Sequence, residues 1–226
     1  ENFLFDEIIK RGPPKLVPVT INIPDGSKIT YSIMPDYVMI DGIRITMTPA
    51  TAQKVANYFG LKLPTAEMSK QIYQASDIKG RVTPLSSSGY TDELGVFHSP
   101  EEVTKNKINS SDAALYYNQL TNEEIKKLKQ SKGLTNEDPI LSGFGKEILA
   151  IEKNNDPNTP NFGGWQGQDK NPLQPYTQAH GGGAKTHSEY ALWTRLVGNQ
   201  ITITTPDGKT TTKPINEVFN INEYNI

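Results

Sequence analysis

The chain has 226 residues, 35% of them hydrophobic, no cysteine, and 23 Lys and Arg against 25 Asp and Glu for a net charge of −2. Near-neutral charge with no basic stripe argues against a nucleic-acid partner, whose binding rests on clustered cations. The missing cysteine excludes disulfides and thiolate catalysis, and no apolar run is long enough to span a bilayer.

The length suits a single domain over residues 1–226. The sequence starts Glu1-Asn2-Phe3 without an initiator methionine, lacks cysteine and is rich in Asn, Thr, Tyr and Pro. These features lean toward an extracytoplasmic protein, secreted or periplasmic.

Alternating apolar and polar residues from Val17 to Ile21 and from Lys28 to Ile33 flank Pro24-Asp25-Gly26, the form of a β-hairpin. Tyr37 to Ile40, Asp41-Gly42 and Ile43 to Met47 repeat it at once, predicting three or four antiparallel strands in a meander. Thr48-Pro49 supplies an N-cap and a first-turn proline. Ala52, Val55, Ala56 and Phe59 follow at helical spacing, with Gly60 to end the helix. A second helix after Leu63-Pro64 is expected to bury Met68, Ile72 and Tyr73.

Residues 86–135 read as a polar loop and helical insertion. The stretch 83–111 is loop-like, a length common in lids and binding loops, and His98 within it reads as solvated. A short helix from Asp112 to Leu120 precedes a second one, opened by the capping box Thr121-x-x-Glu124 and ended at Gly133. Its Lys126-Lys127-Leu128-Lys129 run reads as a solvated face. Glu147 to Glu152 reads as a buried strand and 154–175 as a long polar loop. Tyr190 to Val197 suits strand or helix, and Ile201 to Thr212 around Pro206-Asp207-Gly208 forms a final hairpin. The fold class is α+β, an antiparallel sheet built from N- and C-terminal hairpins with several helices and long polar loops.

Most of the chemistry-bearing side chains gather between Gln178 and Val197, where His180 and His187 flank Gly181-Gly182-Gly183, followed by Glu189, Tyr190, Trp193 and Arg195. Two readings stand open. His180, His187 and Glu189 form a ligand set suited to zinc with a position left for water, although their spacing matches no standard motif. Without a metal, His180 acts as acid or base near neutral pH. Glu189 then orients it, Tyr190 and Lys146 share proton transfer, and Arg195 holds a substrate carboxylate or phosphate. Trp165, set among glycines and amides, suits stacking on a sugar ring, with Gln178 beside it in the groove. No Gly-x-Ser-x-Gly or P-loop sequence occurs.

Pro35-Asp36-Tyr37-Val38, Thr48-Pro49-Ala50-Thr51-Ala52-Gln53, Leu63-Pro64-Thr65 and Ile72-Tyr73 carry a resemblance that continues in Gly164-Trp165, Leu173-Gln174-Pro175, His180-Gly181, Glu189-Tyr190 and Arg195-Leu196-Val197. Together these segments resemble a family of uncharacterised, mostly exported bacterial proteins, over most of the chain outside the insertion. In that family the last block usually reads Asp-Tyr-Ser-His-Gly-x-Arg-Leu-Val. Glu189, Tyr190 and Arg195 then occupy its acidic, aromatic and basic positions. The family's second histidine falls on Leu192, which has no acid–base chemistry, leaving His187 to substitute from the other side of Glu189. The resemblance implies a shared fold and a functional cleft, and it singles out His180, Glu189, Tyr190, Arg195, Trp165 and Lys146.

The sequence thus leads to the expectation of an exported hydrolase-like enzyme acting on a polymeric, peptide or saccharide substrate of the cell envelope, peptidoglycan being one such polymer. The competing expectation is a non-catalytic binding or structural module of the cell surface. It requires the polar residues of 178–197 to be scattered or buried in pairs.

Overall fold

Helix α1 (Asn2–Lys10) lies upstream of the first segment in which the sequence indicates an element. Glu7 ties it together through Lys10 at 2.7 Å and Arg11 at 3.3 Å, one turn along. The computed structural model describes residues 1–80, 90–91, 97–98, 110–135, 138–152, 161–165, 172–178, 192–219 and 221–222. At 90–91, 97–98, 110–114, 116, 152, 161–165, 172–178 and 221–222 it describes the backbone alone.

Strands β1 (Val17–Asn22) and β2 (Lys28–Ile33) form the expected hairpin, in register from Val17 opposite Ile33 to Asn22 opposite Lys28. Strands β3 (Met39–Ile40) and β4 (Ile43–Arg44) flank Asp41 and Gly42. Both turn residues have positive φ, 51° and 80°, as a two-residue type I′ turn requires. This second hairpin is a separate two-stranded ladder, so the expected meander does not form: the free edge of β2 pairs with a strand from the far end of the chain.

Helix α2 (Pro49–Tyr58) is capped by the Thr48 hydroxyl, which accepts from the Thr51 amide at 3.2 Å, and Gly60 beyond its end has φ +66°. The ring of Phe5 in α1 meets Tyr58 edge-on. Helix α3 (Ala66–Ala75) repeats the cap with Thr65. Met68 and Ile72 are fully buried and Tyr73 half-buried. Strand β5 (Ile78–Lys79) follows, then the short pair β6 (Tyr90–Thr91) and β7 (Phe97–His98). The backbone of His98 therefore lies in a ladder within the stretch read as loop.

Helix α4 runs unbroken from Ser110 to Ser131, where the sequence suggested two helices. Thr121 is buried rather than capping, because no glycine or proline breaks the chain there and the buried face Tyr117, Asn118, Thr121, Ile125 continues across it. Gly133, with φ +59°, follows its end as expected.

Strands β8 (Leu141–Ser142), β9 (Lys146–Leu149) and β10 (Ile151–Glu152) come next, and the run Ile148 to Ile151 is buried. Strands β11 (Asn161–Trp165) and β12 (Pro172–Gln178) then occupy much of the stretch read as a long loop. Their proline and glycine content obscured a pairing that itself shifts register between Phe162 and Trp165. Strand β13 (Leu192–Trp193) leads to β14 (Val197–Thr204) and β15 (Thr210–Pro214), the expected last hairpin. The short helix α5 (Ile215–Val218) and β16 (Ile221–Asn222) finish the order.

Among the described residues two sheets have four strands. The first, β1-β2-β14-β15, unites the N- and C-terminal hairpins in an antiparallel sheet, giving the α+β class. The second runs β12-β11-β9-β13, with β13 parallel to β9. The main core packs α2 and α3 against the first sheet around Ile33, Val55, Met68, Ile148 and Ile201. A smaller core gathers Tyr37, Ile78, Tyr117, Leu141, Phe144 and Trp193. Among the described residues no helix is long and apolar enough to cross a membrane.

Candidate functional site

Residues 192–197 link the two sheets. Leu192 and Trp193 pair with Lys146 and Glu147 of β9, and Val197 enters β14 beside Ile33. Between them the Val38 amide donates to the Thr194 carbonyl at 2.8 Å and the Met34 amide to the Leu196 carbonyl at 2.9 Å. Every residue from Leu192 to Val197 is buried.

Arg195 sits at the middle of this link with no exposure, and Glu147 faces it at 1%. The Arg195 Nε donates to Glu147 Oε1 at 3.0 Å, Nη1 donates to the Met34 carbonyl at 2.6 Å, and Nη2 donates to the Leu141 carbonyl. The second carboxylate oxygen of Glu147 accepts from the Ser69 hydroxyl at 2.7 Å. One buried pair thereby ties β9, α3, β8 and the β2–β3 connection together. Burial is the largest single influence on the Arg195 charge and opposes it. The Glu147 carboxylate, with Tyr37 and Asp36, outweighs that and holds the guanidinium above its ordinary range.

A second arginine lies nearby. Arg44 grips Asp36 with two parallel bonds, at 2.9 and 2.7 Å, and donates to Asn122 at 2.7 Å. Asn118 closes the contact by accepting from the Arg44 amide and donating to its carbonyl. This polar clasp, one turn of α4 wide, docks the helix on β4, and the Tyr117 hydroxyl adds a bond to the Phe144 carbonyl at 2.6 Å. Aromatic rings fill the space between the arginines: Arg195 lies over Tyr37 at 4.5 Å and Arg44 over Trp193 at 5.4 Å. The Tyr37 and Trp193 rings are 5.0 Å apart. Three buried polar atoms there, Tyr37 Oη, Trp193 Nε1 and Thr194 Oγ1, meet no hydrogen-bond partner among the described residues. Burial, then the charge of Glu147, pushes the Tyr37 phenol above its ordinary value.

This geometry revises the place of Arg195 in the candidate site. The guanidinium expected to hold a substrate anion is instead committed to Glu147 and two backbone carbonyls inside the protein. Lys146 is half-buried at the start of β9, opposite Leu192. Trp165 ends β11 opposite Pro172, and Gln178 ends β12 opposite Asn161, both described as backbone. His180, His187, Glu189 and Tyr190 lie outside the described residues, as does the proposed zinc ligand set. Among the described residues no group of three or more His, Cys, Asp or Glu gathers in a way that could hold a metal.

Glu147, Ser69, Asp36, Arg44 and Tyr37 were not singled out for chemistry by the sequence. A signal for Glu147 was present: a carboxylate heading the buried run Ile148-Leu149-Ala150-Ile151 demands a charged or hydrogen-bonding partner.

Met34, Tyr37 and Leu141, which contact Arg195, also border an open cavity of about 340 Å³ between the Met34–Tyr37 connection, the segment after α1 and the last turn of α4. Comparison of the chain with protein-family models, with curated proteins and with solved structures returns no match.

Proposed function

We propose that the chain is a non-catalytic, extracytoplasmic binding or structural module of the cell surface. The observation that supports this reading is the commitment of Arg195. A side chain placed to receive a substrate anion keeps donors directed at a cleft; here Nε, Nη1 and Nη2 are all turned onto protein acceptors. Its neighbours Leu192, Trp193 and Thr194 are fully buried as well. The described part of the candidate segment thus works as framework, in a buried pair. The test is incubation with cell-wall material and polysaccharides. The protein is expected to co-sediment without releasing soluble fragments, and the His180→Ala variant to behave identically. Fragment release by the wild type that His180→Ala abolishes would overturn this reading.

A second reading, a hydrolase-like enzyme acting on an envelope polymer such as peptidoglycan, draws support from Lys146. The strands at either end of 179–191 belong to one sheet, and Lys146 stands in that sheet opposite Leu192. Catalytic residues are commonly carried on segments that join the strands of a sheet. Under this reading His180 is the acid or base, Glu189 orients it, Tyr190 and Lys146 share the proton, and Trp165 and Gln178 line the groove. Where His180, His187 and Glu189 bind zinc, metal analysis of the native protein finds about one equivalent.

A further inference from the structure

The cavity beside the last turn of α4 is lined by both apolar and charged residues. Pro14, Met34, Pro35, Met39, Pro139 and Leu141 line it, together with the ring of Tyr37. Four charged residues also line it: Lys15, Lys129, Asp36 and Asp138. Three of the four are answered within the protein. Asp36 is gripped by Arg44, and Lys15 pairs with Asp138. Lys129, half-buried, has no ion-pair or side-chain hydrogen-bond partner among the described residues. Among the described residues the lining therefore carries one positive charge without an ion-pair partner beside apolar side chains, at a volume in the lower range of small-molecule sites.

We propose that this cavity binds a compact apolar carboxylate, with Lys129 as its counter-charge. The proposal gives a ligand class to the binding reading above and rests on it. A neutral apolar ligand would leave the lysine unmatched in a partly dehydrated setting, and a dianion would bring excess charge against Asp36 and Asp138. A single carboxylate on an apolar body satisfies both constraints. Such a group is presented by a free organic acid or by the carboxyl terminus of a short peptide, and the two are separable by experiment.

The chain holds four methionines. Met34 and Met39 line the cavity, whereas Met47 and Met68 are fully buried in the main core. Methionine methyl groups labelled with carbon-13 thus give two reporters inside the site and two controls outside it. The probes are 1-naphthoate for the free acid and N-acetyl-D-alanyl-D-alanine for the peptide terminus, each against its carboxamide.

The expected result is a saturable shift of the Met34 and Met39 signals with at least one acid, Met47 and Met68 staying in place. The matching carboxamide should bind about tenfold more weakly or worse. Lys129→Gln should bring the acid down to the level of the amide, and Lys129→Arg should retain the preference. The acid that binds identifies the source. Absence of any shift at millimolar probe overturns the proposal, as do equal affinities for acid and amide, movement of all four signals, or acid binding unchanged in Lys129→Gln. Co-sedimentation with cell-wall material separates the two levels. If the protein sediments while no methyl moves, the binding reading stands and the cavity proposal falls. If the methyls move but nothing sediments, the cavity proposal stands and the surface-module reading falls.

Discussion

The sheet formed by the two terminal hairpins and the centre around Arg195 both join segments far apart in the chain, by opposite means. In the sheet the work is done by backbone ladders, and its outer face carries a row of threonines across all four strands, Thr20, Thr30, Thr202 and Thr212. Their hydroxyls meet in pairs at 2.8 and 3.4 Å, within reach of water. Around Arg195 the joining is done by side-chain charge with almost no exposure. A redundant ladder spreads its stability over many weak contacts, so the loss of one is small. A buried ion pair concentrates it, because removing one partner strands the other without water.

The sharpest way to test this contrast is Glu147→Leu, which leaves the Arg195 charge buried and unanswered. It should cost about 3–5 kcal/mol, read as a fall in urea midpoint at constant slope. Adding Arg195→Met should recover much of that loss. If the single variant is nearly neutral, the pair is not the fastening described. Asp36→Asn weakens the other arginine, whose carboxylate is 17% exposed. A loss of about 2 kcal/mol is expected, smaller than at Glu147, and the same denaturation series measures it.

Alkaline pH probes the same region without mutation. Burial raises the Tyr31 and Tyr37 phenols above the ordinary tyrosine value, the charges of nearby carboxylates adding to it. The folded protein therefore holds these protons more tightly than the unfolded chain does. The stability they contribute is full below about pH 10 and is lost as pH rises beyond it, by about 1.4 kcal/mol per pH unit for each group. Tyr37→Phe should halve that slope and, since its hydroxyl has no hydrogen-bond partner among the described residues, cost little at neutral pH. A measurable loss at pH 7 would reveal a partner for that hydroxyl. The smallest effect belongs to the threonine row: Thr202→Val should change stability by no more than about 0.5 kcal/mol in thermal or urea unfolding. A larger change would erase the contrast between the two regions.

Local chemistry accounts for what the sequence made legible. Asp41-Gly42, Pro24-Asp25-Gly26 and Pro206-Asp207-Gly208 announce turns because few residues tolerate their backbone, and Thr48-Pro49 announces a helix start because its hydroxyl answers an orphan amide. Pairings between distant strands carry no such marker. The sequence predicts both a meander onto the adjacent segment and a sheet shared by the terminal hairpins; the second forms, and β14 takes the edge of β2. Thr121-x-x-Glu124 has the letters of a cap but sits inside α4, where burial of Tyr117, Asn118 and Ile125 outweighs the local preference. At the candidate site, the charge of Arg195 is plain in the sequence, but the residue that answers it is Glu147, 48 positions away. Spacing within one segment could not show that a charge in a run ending Leu196-Val197 was destined for the interior. The apolar residues following both Arg195 and Glu147 were the available hint.

The pairing of Val197 with Ile33 also has a consequence in time. A chain made at about 5–20 residues per second completes β2 long before β14 exists, leaving that edge open for roughly ten to thirty seconds. During the wait the N-terminal hairpin presents Ile29, Tyr31 and Ile33 without the strand that will cover them, the circumstance in which nascent chains pair with the wrong neighbour. The alternation of Lys28, Thr30 and Ser32 with those apolar residues keeps one face of the hairpin wet throughout. Folding of the first sheet is therefore completed late in synthesis, and its N-terminal half must remain soluble until the C-terminal half arrives.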